Sequence, residues 1–356
     1  MTNSLLYSHL YEWYERNRRD LPWRETEEGY RIWLSEVILQ QTRVAQGLDY
    51  YLRFVSRWPN VEALASARED EVLREWQGLG YYSRARNLHK AAQMVVQQGW
   101  TPFPTRFEDL RQLPGVGDYT AGAIASFAYN QPYPAMDGNV YRVVARLLDI
   151  DEAFDTTAGK KLFRQKISLL LDSDNPRLFN SAIMEFGALY CTPVLGEACM
   201  QCPLQALCKA YAHGTAELLP VRKPRPKVRD RWFAYHIYIA RESGELFTLI
   251  RQRTEKDIWY HLYEFPCEEL DALAMNQPHT QAVTQGSTPA ASPQAVFSCT
   301  HVLSHQRLHA QFFVRQADCL PDIENTIRIP WTDLNQYALS RLTLRALEHL
   351  RLSPLS

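Results

Sequence analysis

Four of the seven cysteines lie within eighteen residues of the chain, at Cys191, Cys199, Cys202 and Cys208. Seven, two and five residues separate the successive thiols. Four thiolates this close together can hold one tetrahedral zinc ion or one iron–sulfur cluster, and the spacing does not select between the two. The other three cysteines are scattered, a distribution that favours a metal site in a reducing compartment over a disulfide framework.

Two acidic residues stand in settings that could support acid–base chemistry. Glu36 lies in an apolar stretch, residues 31–39 (RIWLSEVIL), where loss of solvation would raise its pKa and keep a proton available for general-acid catalysis. A solvated helical glutamate is the alternative interpretation. Asp137, in Asp137-Gly138-Asn139-Val140, comes just before a helical pattern. An N-cap without a catalytic role is one interpretation, and an ionised aspartate there could also cap the helix and take part in catalysis at once.

A glycine-containing turn precedes the small, apolar helix predicted over residues 121–128. The turn reads Leu113-Pro114-Gly115-Val116-Gly117. Two glycines one residue apart allow a tight hairpin whose backbone N–H groups, at a helix N-terminus, can face a phosphate. A helix–helix turn in which the glycines serve geometry alone remains the alternative.

The length and composition describe a folded chain of more than one domain. At roughly 150 residues per domain, 356 residues predict about two domains. The hydrophobic fraction of 46% and the charged fraction of 22% exclude disorder as the main character. Lys and Arg number 39 and Asp and Glu 40, so the net charge of −1 provides no chain-wide basic field for a polyanion. We expect neither secretion nor a membrane span, and therefore a cytoplasmic protein.

The character of the sequence changes near residue 213. Residues 1–213 carry apolar positions at helical spacing and predict an all-α domain. Residues 214–230 form a basic, proline-rich connector. Residues 231–356 begin with alternating strand patterns and end in a helical one, which predicts an α+β domain. Within it, residues 272–294 are rich in Gln, Thr, Ser and Pro, and we expect a mobile loop there.

These motifs together resemble a known family. The hairpin, Asp137-Gly138-Asn139-Val140 and the cysteine loop at 191–208, in that order, resemble the endonuclease III superfamily of DNA base-excision enzymes. Leu21-Pro22-Trp23-Arg24, the segment 33–42 (WLSEVILQQT) and a domain after a basic connector narrow the resemblance to MutY-type adenine DNA glycosylases. The resemblance implies an all-α helix-hairpin-helix glycosylase domain with an iron–sulfur cluster loop, followed by an α+β Nudix-like domain.

The resemblance also implies a reaction. The family removes adenine mispaired with 8-oxoguanine or guanine in double-stranded DNA, and it must extrude the nucleotide because the reacting bond is unreachable within the stack. By position, Glu36 protonates the adenine. Asp137, with Asn139 of the same motif in the catalytic set, stabilises the positive charge that develops on the sugar. Lyase members of the superfamily carry a lysine where this chain has Tyr119, so we expect a monofunctional glycosylase that leaves the strand intact.

Further roles follow from position in the family. The residues implied to surround the extruded adenine are Arg19, Trp23, Arg24, Leu39 and Glu185. Those implied to contact DNA are Gln41 and Tyr81, which wedge into the duplex, and Gly115, Val116 and Gly117 of the hairpin. The four cysteines are implied to hold a structural [4Fe-4S] cluster, with seven residues between the first two where the family usually has six. We expect a monomer without membrane association.

The C-terminal domain is expected to bind without hydrolysing. A phosphohydrolase of the Nudix fold needs an Arg-Glu-x-x-Glu-Glu helix for its metals, and the sequence has no such run. Residues 301–306 (HVLSHQ) resemble the Phe-Ser-His loop of the family, with Leu303 in place of phenylalanine. Ser304 and His305 are therefore the candidates for reading 8-oxoguanine, and an exposed turn histidine is the alternative for His305.

Two other functions are open to a chain with these motifs. A lyase of the endonuclease III type would share the hairpin and the cysteines, but Tyr119 and the additional domain argue against it. A non-catalytic iron–sulfur protein that binds DNA would also explain the hairpin and the cysteines. It gives no reason for Glu36 and Asp137 to stand where the chemistry needs them.

Overall fold

A computed structural model describes residues 3–224, 228–273 and 297–352. The loop predicted at 272–294 lies almost wholly outside the described residues. The chain divides into two compact units. The first comprises Met1–Ser66 and Asn87–Pro224, and the second comprises Ala67–Arg86 and Arg225–Ser356.

The helices confirm the predicted all-α character of the N-terminal part. Along the described chain they are α1 (Asn3–Asn17), α2 (Gly29–Leu39), α3 (Val44–Arg57), α4 (Val61–Ala65), α5 (Glu69–Glu75), α6 (Ser83–Gln97), α7 (Phe107–Leu110), α8 (Asp118–Tyr129), α9 (Gly138–Leu148), α10 (Thr157–Leu170), α11 (Pro176–Leu189), α12 (Lys209–His213) and α13 (Arg341–Leu352). In the first unit α2 packs against α3 and α8, while α11 packs against α1, α8 and α9. The helices α5 and α13 belong to the second unit. No helix among the described residues has both the length and the apolar character that crossing a membrane requires.

Close approach of α11 to the start of α9 depends on a glycine. A Cβ atom on Gly187 would lie 2.9 Å from the backbone oxygen of Asn139, so a larger residue would push the two helices apart. Asn180, on the same helix and 1% exposed, accepts a hydrogen bond from the backbone N–H of Ala135. Its amide also donates to the Ser126 hydroxyl and to the Tyr133 carbonyl. The helix α11 thereby fixes the loop that leads into Asp137.

The second unit is built around a mixed sheet. Its strands are β1 (Arg229–Glu242), β2 (Glu245–Gln252), β3 (Tyr263–Glu264), β4 (Cys267–Leu270), β5 (Phe297–Val302), β6 (Gln306–Ala317) and β7 (Ile327–Pro330). The strands run in the order β3-β2-β1-β6-β5, with β4 also paired to β1 and β7 to β2. The β1–β6 pair is parallel and the other pairs are antiparallel. Buried residues of β1, β6 and α13 share one core, and this architecture confirms the predicted α+β domain.

The connector predicted at 214–230 is only partly an extended linker. Residues 216–218 form a 3-10 turn, and β1 already begins at Arg229. The N–H of Phe154 donates to the Val221 carbonyl, and the Arg222 guanidinium lies 5.0 Å from the centre of the Phe154 ring. The proline-rich sequence did not reveal these anchors because they depend on residues about seventy positions away in the chain.

Candidate active site

A cavity of about 680 Å³ opens in the first unit. Its walls come from α1, α2, α8, α9, α11 and the turn before α2. It brings together ten of the residues singled out by the sequence, namely Arg19, Trp23, Arg24, Glu36, Leu39, Gln41, Tyr119, Asp137, Asn139 and Glu185. A pocket this large can enclose a purine base and part of its sugar.

Glu36 is a buried acid that holds its proton near neutral pH. Only 8% of its surface is exposed, and burial is the main cause that raises its pKa to about 7. The negative charge of Asp137 raises this pKa further. The Tyr119 hydroxyl donates to Oε2 of Glu36 at 2.6 Å, and this hydrogen bond opposes the rise. The helix α2 supplies this setting because eight of its other residues are buried as well.

Asp137 is the N-cap of α9, as its position in the sequence indicates. Its Oδ1 accepts from the backbone N–H of Val140 at 2.8 Å, and its Oδ2 accepts from the Asn139 amide at 2.7 Å. Burial raises the pKa of Asp137, while these hydrogen bonds and the charge of Arg142 oppose the rise. The positive end of the α9 dipole also favours the anion. Asp137 therefore has the partners that stabilise a carboxylate.

A third acid in the cavity has the opposite electrostatic setting to Glu36. Glu185 is 1% exposed and accepts hydrogen bonds from both Arg19 and Arg24, at 2.6–3.1 Å. Burial alone would raise the pKa of Glu185, but these hydrogen bonds outweigh it and lower the pKa to about 2. The two arginines are thus fixed in direction against Glu185, and both line the cavity.

Apolar side chains form another part of the cavity wall. The Trp23 ring packs edge-to-face on Tyr51 with 5.1 Å between centroids, and Leu39 ends α2. A flat apolar ligand can stack between such groups. At the same end of α2, the Gln40 amide donates to the Thr120 hydroxyl at 3.2 Å and ties α2 to α8. The sequence analysis did not single out Gln40 or Thr120.

The glycine hairpin stands at the N-terminus of α8, one helical turn from Tyr119. Gly115 has φ +79°, and a Cβ atom there would also lie 2.9 Å from Cβ of Asn87. Val116 closes the turn by donating to the Leu113 carbonyl, and Gly117 is the N-cap residue of α8. Asp118 follows the hairpin, and it pairs with Arg111 and Arg164. Its negative charge is therefore balanced beside the amides that could receive a phosphate.

The two predicted wedge residues share an uncommon backbone conformation. Gln41 has φ +57° and Tyr81 has φ +47°, although neither is glycine, and both side chains are exposed. Residues held in the left-handed region are often found where a side chain is presented to a ligand. Gln41 lies in the first unit at the cavity, whereas Tyr81 belongs to the second unit.

Ser304 and His305 occupy the turn between β5 and β6 of the second unit. Both are exposed, and the Ser304 hydroxyl lies 3.1 Å from Nδ1 of His305. The turn is closed by the N–H of Leu303, which donates to the Gln306 carbonyl at 2.7 Å. The structure thus places these two residues together at an exposed hairpin tip of the second unit.

The four cysteines of the loop line one small cavity in the first unit. Arg146, only 2% exposed, reaches this loop from α9 and donates to Sγ of Cys191 at 3.3 Å and to the Thr192 carbonyl at 2.7 Å. Among the described residues, no three His, Cys, Asp or Glu side chains lie close enough to hold a single metal ion. The four cysteines nevertheless converge on one shared space.

Arg142 joins Asn139 to the cysteine loop, and it was not predicted from the sequence. Its guanidinium donates to Oδ1 of Asn139 at 2.9 Å, to the Gly187 carbonyl at 2.6 Å and to the Cys191 carbonyl at 2.7 Å. A continuous chain of hydrogen bonds therefore runs from Asp137 through Asn139 and Arg142 to the cysteine loop. The available signal was a charged residue within the buried, apolar face of α9.

Comparison with known proteins places both units in described families. Residues 34–168 match the family model of HhH-GPD superfamily base excision DNA repair proteins, and residues 235–349 match that of the NUDIX domain. The chain resembles the structure of a thermostable thymine-DNA glycosylase at 25% identity, with a TM-score of 0.53 over 59% of this chain and 97% of the other. The fold and the cavity thus define a base-excision repair protein of the helix-hairpin-helix class with an additional Nudix-like domain.

Relatives in sequence narrow the class to one family. The chain is 35% identical to adenine DNA glycosylase of Buchnera aphidicola (subsp. Schizaphis graminum) over 75% of its own length and 76% of that protein. It is 42% identical to adenine DNA glycosylase of Mus musculus over 63% of its length, and that match spans 45% of the mouse protein. The chain therefore belongs to the adenine DNA glycosylase family, whose members are N-glycosyl hydrolases that bind DNA. The resemblance drawn from the motifs is confirmed.

The state of Glu36 makes a testable prediction about stability. Its pKa is about 7 when folded against an ordinary 4.5, so the folded protein holds a proton that the unfolded chain releases between these values. The free energy of unfolding should fall as pH rises through this window, by about 3 kcal/mol at most. Because a glutamine stays neutral, Glu36→Gln should remove that fall. Urea denaturation of both proteins from pH 4.5 to 8 measures it.

A matched variant separates this effect from general changes in charge. Glu15 lines the same cavity but is exposed, so Glu15→Gln should keep the pH dependence of the unmodified protein. Parallel pH dependences for the unmodified protein and Glu36→Gln would contradict a buried, protonated Glu36.

Proposed function

We propose that this protein excises adenine paired with 8-oxoguanine or guanine in double-stranded DNA by hydrolysing the N-glycosidic bond. The observation that carries the proposal is the pairing of Glu36, an acid protonated near neutral pH, with Asp137, a hydrogen-bonded carboxylate of the same cavity. Such a pair can donate a proton to a leaving base and stabilise a cationic sugar.

Glu36 acts in this proposal as the general acid. Adenine is a poor leaving group, and a proton from Glu36 makes it a better one at the moment the bond breaks. Tyr119 holds the carboxyl group of Glu36 in one orientation through its 2.6 Å hydrogen bond. Burial raises the pKa of Tyr119 well above its usual value, so the phenol stays a neutral donor throughout.

Asp137 supplies the negative charge that the reaction needs. As the bond breaks, positive charge develops on the sugar, and a carboxylate already in place stabilises it without reorganisation. The helix N-terminus and Asn139 keep Asp137 ionised and fixed. Two anions in one buried site repel each other, so the two carboxyl groups share one proton. Glu36 holds this proton because it has fewer hydrogen-bond donors around it than Asp137.

The same cavity supports recognition of an extruded adenine. The pair of arginines held by Glu185 offers directed donors, and Trp23 and Leu39 offer apolar faces for the purine ring. Gln41 and Tyr81 are proposed to fill the space that the extruded nucleotide leaves in the duplex. The hairpin amides of Gly115–Gly117 are proposed to receive a backbone phosphate.

The second unit is proposed to read the base opposite the adenine. Ser304 and His305 stand at an exposed hairpin tip with neighbouring polar atoms, a geometry suited to hydrogen bonding with a damaged base in a groove. Because the chain lacks the Arg-Glu-x-x-Glu-Glu sequence of Nudix hydrolases, we assign this unit a binding role only.

The four cysteines are proposed to hold a [4Fe-4S] cluster, which homologues of this superfamily normally carry. The four thiols line one cavity, and four cysteine thiolates are the ligand set of such a cluster. The cluster would order the loop at 191–208. A reducing compartment preserves such thiols, and we propose a cytoplasmic, monomeric protein.

A single-turnover assay tests the proposed reaction. With a duplex containing adenine opposite 8-oxoguanine, the protein should release adenine and leave an intact strand that breaks only after alkali treatment, since Tyr119 provides no amine for a Schiff base. Glu36→Gln should slow excision at least about a hundredfold, the usual contribution of a general acid. Glu15→Gln, in the same cavity, should match the unmodified protein.

Two outcomes would overturn this assignment. Strand cleavage as fast as adenine release would indicate a lyase. Excision by Glu36→Gln at the rate of the unmodified protein would remove the proposed acid. A duplex with adenine opposite thymine serves as the substrate control, and comparison with adenine opposite guanine measures the preference for the damaged partner.

The hydrogen bond between Tyr119 and Glu36 makes a separate prediction about pH. This bond lowers the pKa of Glu36 against the effect of burial, so Tyr119→Phe should raise that pKa above about 7. A general acid works while it is protonated, and the alkaline limb of the rate profile should therefore move to higher pH. Single-turnover rates from pH 5 to 10 measure the limb. The control is Tyr129→Phe, a change elsewhere on α8, in which the alkaline limb should stay in place. An unmoved limb in Tyr119→Phe would show that the hydrogen bond does not set the pKa of Glu36.

The proposed cluster can be checked by composition. Protein purified without oxygen should contain iron and acid-labile sulfide in equal amounts and show the visible absorption of an iron–sulfur cluster. Cys199→Ser should lose iron and absorption, whereas Cys319→Ser, at an exposed position outside the loop, should keep both. Zinc without iron in the anoxic preparation would refute the cluster.

A further inference from the structure

The segment that carries Tyr81 belongs to the second unit, although it precedes most of the helical unit in the chain. Residues 67–86 belong to one compact unit with Arg225–Ser356, whereas the residues before and after them in the chain belong to the first unit. This placement could not be predicted from the sequence, because the segment has an ordinary helix and turn pattern. What this placement implies for base extrusion rests on the proposed role of Tyr81 as a wedge.

One end of this segment is anchored on the loop between β2 and β3. Oε1 of Glu69, in the first turn of α5, lies 2.5 Å from Nδ1 of His261. Arg86, at the other end, donates to the Tyr260 carbonyl at 2.6 Å, and its guanidinium lies 5.0 Å from the centre of the Tyr260 ring. Two adjacent residues of one loop therefore bind both ends of the segment.

A second anchor lies just before α13. The backbone N–H of Leu339 donates to the Gln77 side chain at 3.0 Å, and its carbonyl accepts from the Tyr82 hydroxyl at 3.3 Å. Arg74 also donates to the Gln336 carbonyl at 3.3 Å. Gln77 and Tyr82 bracket Tyr81 in the sequence, so the turn that presents Tyr81 is held on both sides by the second unit.

The turn itself is tightly fixed. Gly80 has φ +74°, and its carbonyl accepts hydrogen bonds from Nε1 of Trp76 at 3.0 Å and from Arg84 at 3.3 Å. The Arg84 guanidinium lies 5.0 Å from the Trp76 ring and 5.7 Å from the Tyr81 ring. Tyr81 stays 45% exposed above this support. An exposed ring on a fixed turn is prepared for insertion between bases.

His261 stands out within the anchoring loop. Its φ is +66°, a conformation that glycine adopts without steric cost and that other residues adopt rarely. Its backbone is held by its N–H, which donates to the Arg253 carbonyl, and by its carbonyl, which accepts from Gln252. A glycine would suit this backbone, but only the imidazole reaches Glu69.

We propose that His261 and Glu69 are positioning residues through which the lesion-reading unit sets the position of Tyr81. The unit that carries Ser304 and His305 also carries the wedge, so recognition of the opposite base and support for extrusion reside in one body. Extrusion of the adenine then depends on the C-terminal domain through the contact between His261 and Glu69, without any change in the catalytic cavity.

A fluorescence experiment tests this dependence. The full-length protein is mixed with a duplex that contains 2-aminopurine opposite 8-oxoguanine, and the rise in fluorescence reports extrusion of that base. His261→Gly should slow the rise about threefold to tenfold, the effect of one partly exposed, charge-assisted hydrogen bond. Its unfolding temperature should stay the same or increase, because glycine relieves the left-handed backbone. A residue with a purely structural role would not slow extrusion while stability is kept.

Matched variants define the contact. Glu69→Ala should slow extrusion as His261→Gly does, whereas Glu69→Gln keeps an acceptor and should restore most of the rate. Asn325→Gly is the control, since Asn325 also has a positive φ, +60°, at an exposed turn of the second unit. It should leave extrusion unchanged.

A double-mutant cycle tests whether the effect passes through Tyr81. Tyr81→Ala alone should slow extrusion, and adding His261→Gly to it should cause no further loss. If the two substitutions slow extrusion independently, their effects will multiply in the double variant. That result would overturn the proposed path from His261 through Tyr81. Unmodified rates in both His261→Gly and Glu69→Ala, with a slow Tyr81→Ala, would overturn this inference and keep the wedge. An unmodified rate in Tyr81→Ala would overturn both.

Discussion

The site depends on one constraint, which is that Glu36 and Asp137 share a buried cavity that favours a single negative charge between them. Burial raises the pKa of both groups, the charge of Asp137 raises that of Glu36 further, and the local donors decide which group keeps the proton. Asp137 has a helix N-terminus and the Asn139 amide, whereas Glu36 has one phenol. The acid and the carboxylate are therefore assigned by backbone geometry, namely by where α9 begins, and not by the acidity of the two residue types.

Glu185 shows that burial does not by itself decide the state of an acid in this cavity. It is less exposed than Glu36, yet its pKa is about 2 because Arg19 and Arg24 surround it. The cavity thus contains both a protonated acid, Glu36, and a carboxylate that is paired with two arginines, Glu185. A ligand that enters meets directed donors and a proton source without an unpaired buried charge, which would be costly.

Much of this arrangement was predictable because short motifs carry it. Glu36 in an apolar stretch and Asp137 before a helix pointed to their chemistry, and the structure gathers them in one cavity. The residues that the sequence analysis missed act over long separations. Arg142 links Asn139 to a loop 49 positions away, and Asn180 orders a turn 45 positions earlier. Hydrogen bonds of that range leave no periodic pattern, and a buried polar residue was the one available signal. The placement of residues 67–86 in the second unit also depends on contacts between residues far apart in the chain, so the sequence did not reveal it.

The nearly neutral charge of the chain limits how it can bind a polyanion. With a net charge of −1, affinity must come from local contacts. At the hairpin, Arg111 and Arg164 neutralise Asp118, so no unpaired negative charge of Asp118 repels a phosphate there. Gln41 and Tyr81 are uncharged side chains held on left-handed backbone, so any contribution they make to affinity does not come from charge. Under the proposed function, a few phosphate contacts and the proposed wedge side chains supply the affinity. Binding should therefore depend only weakly on salt and strongly on where each wedge side chain is held.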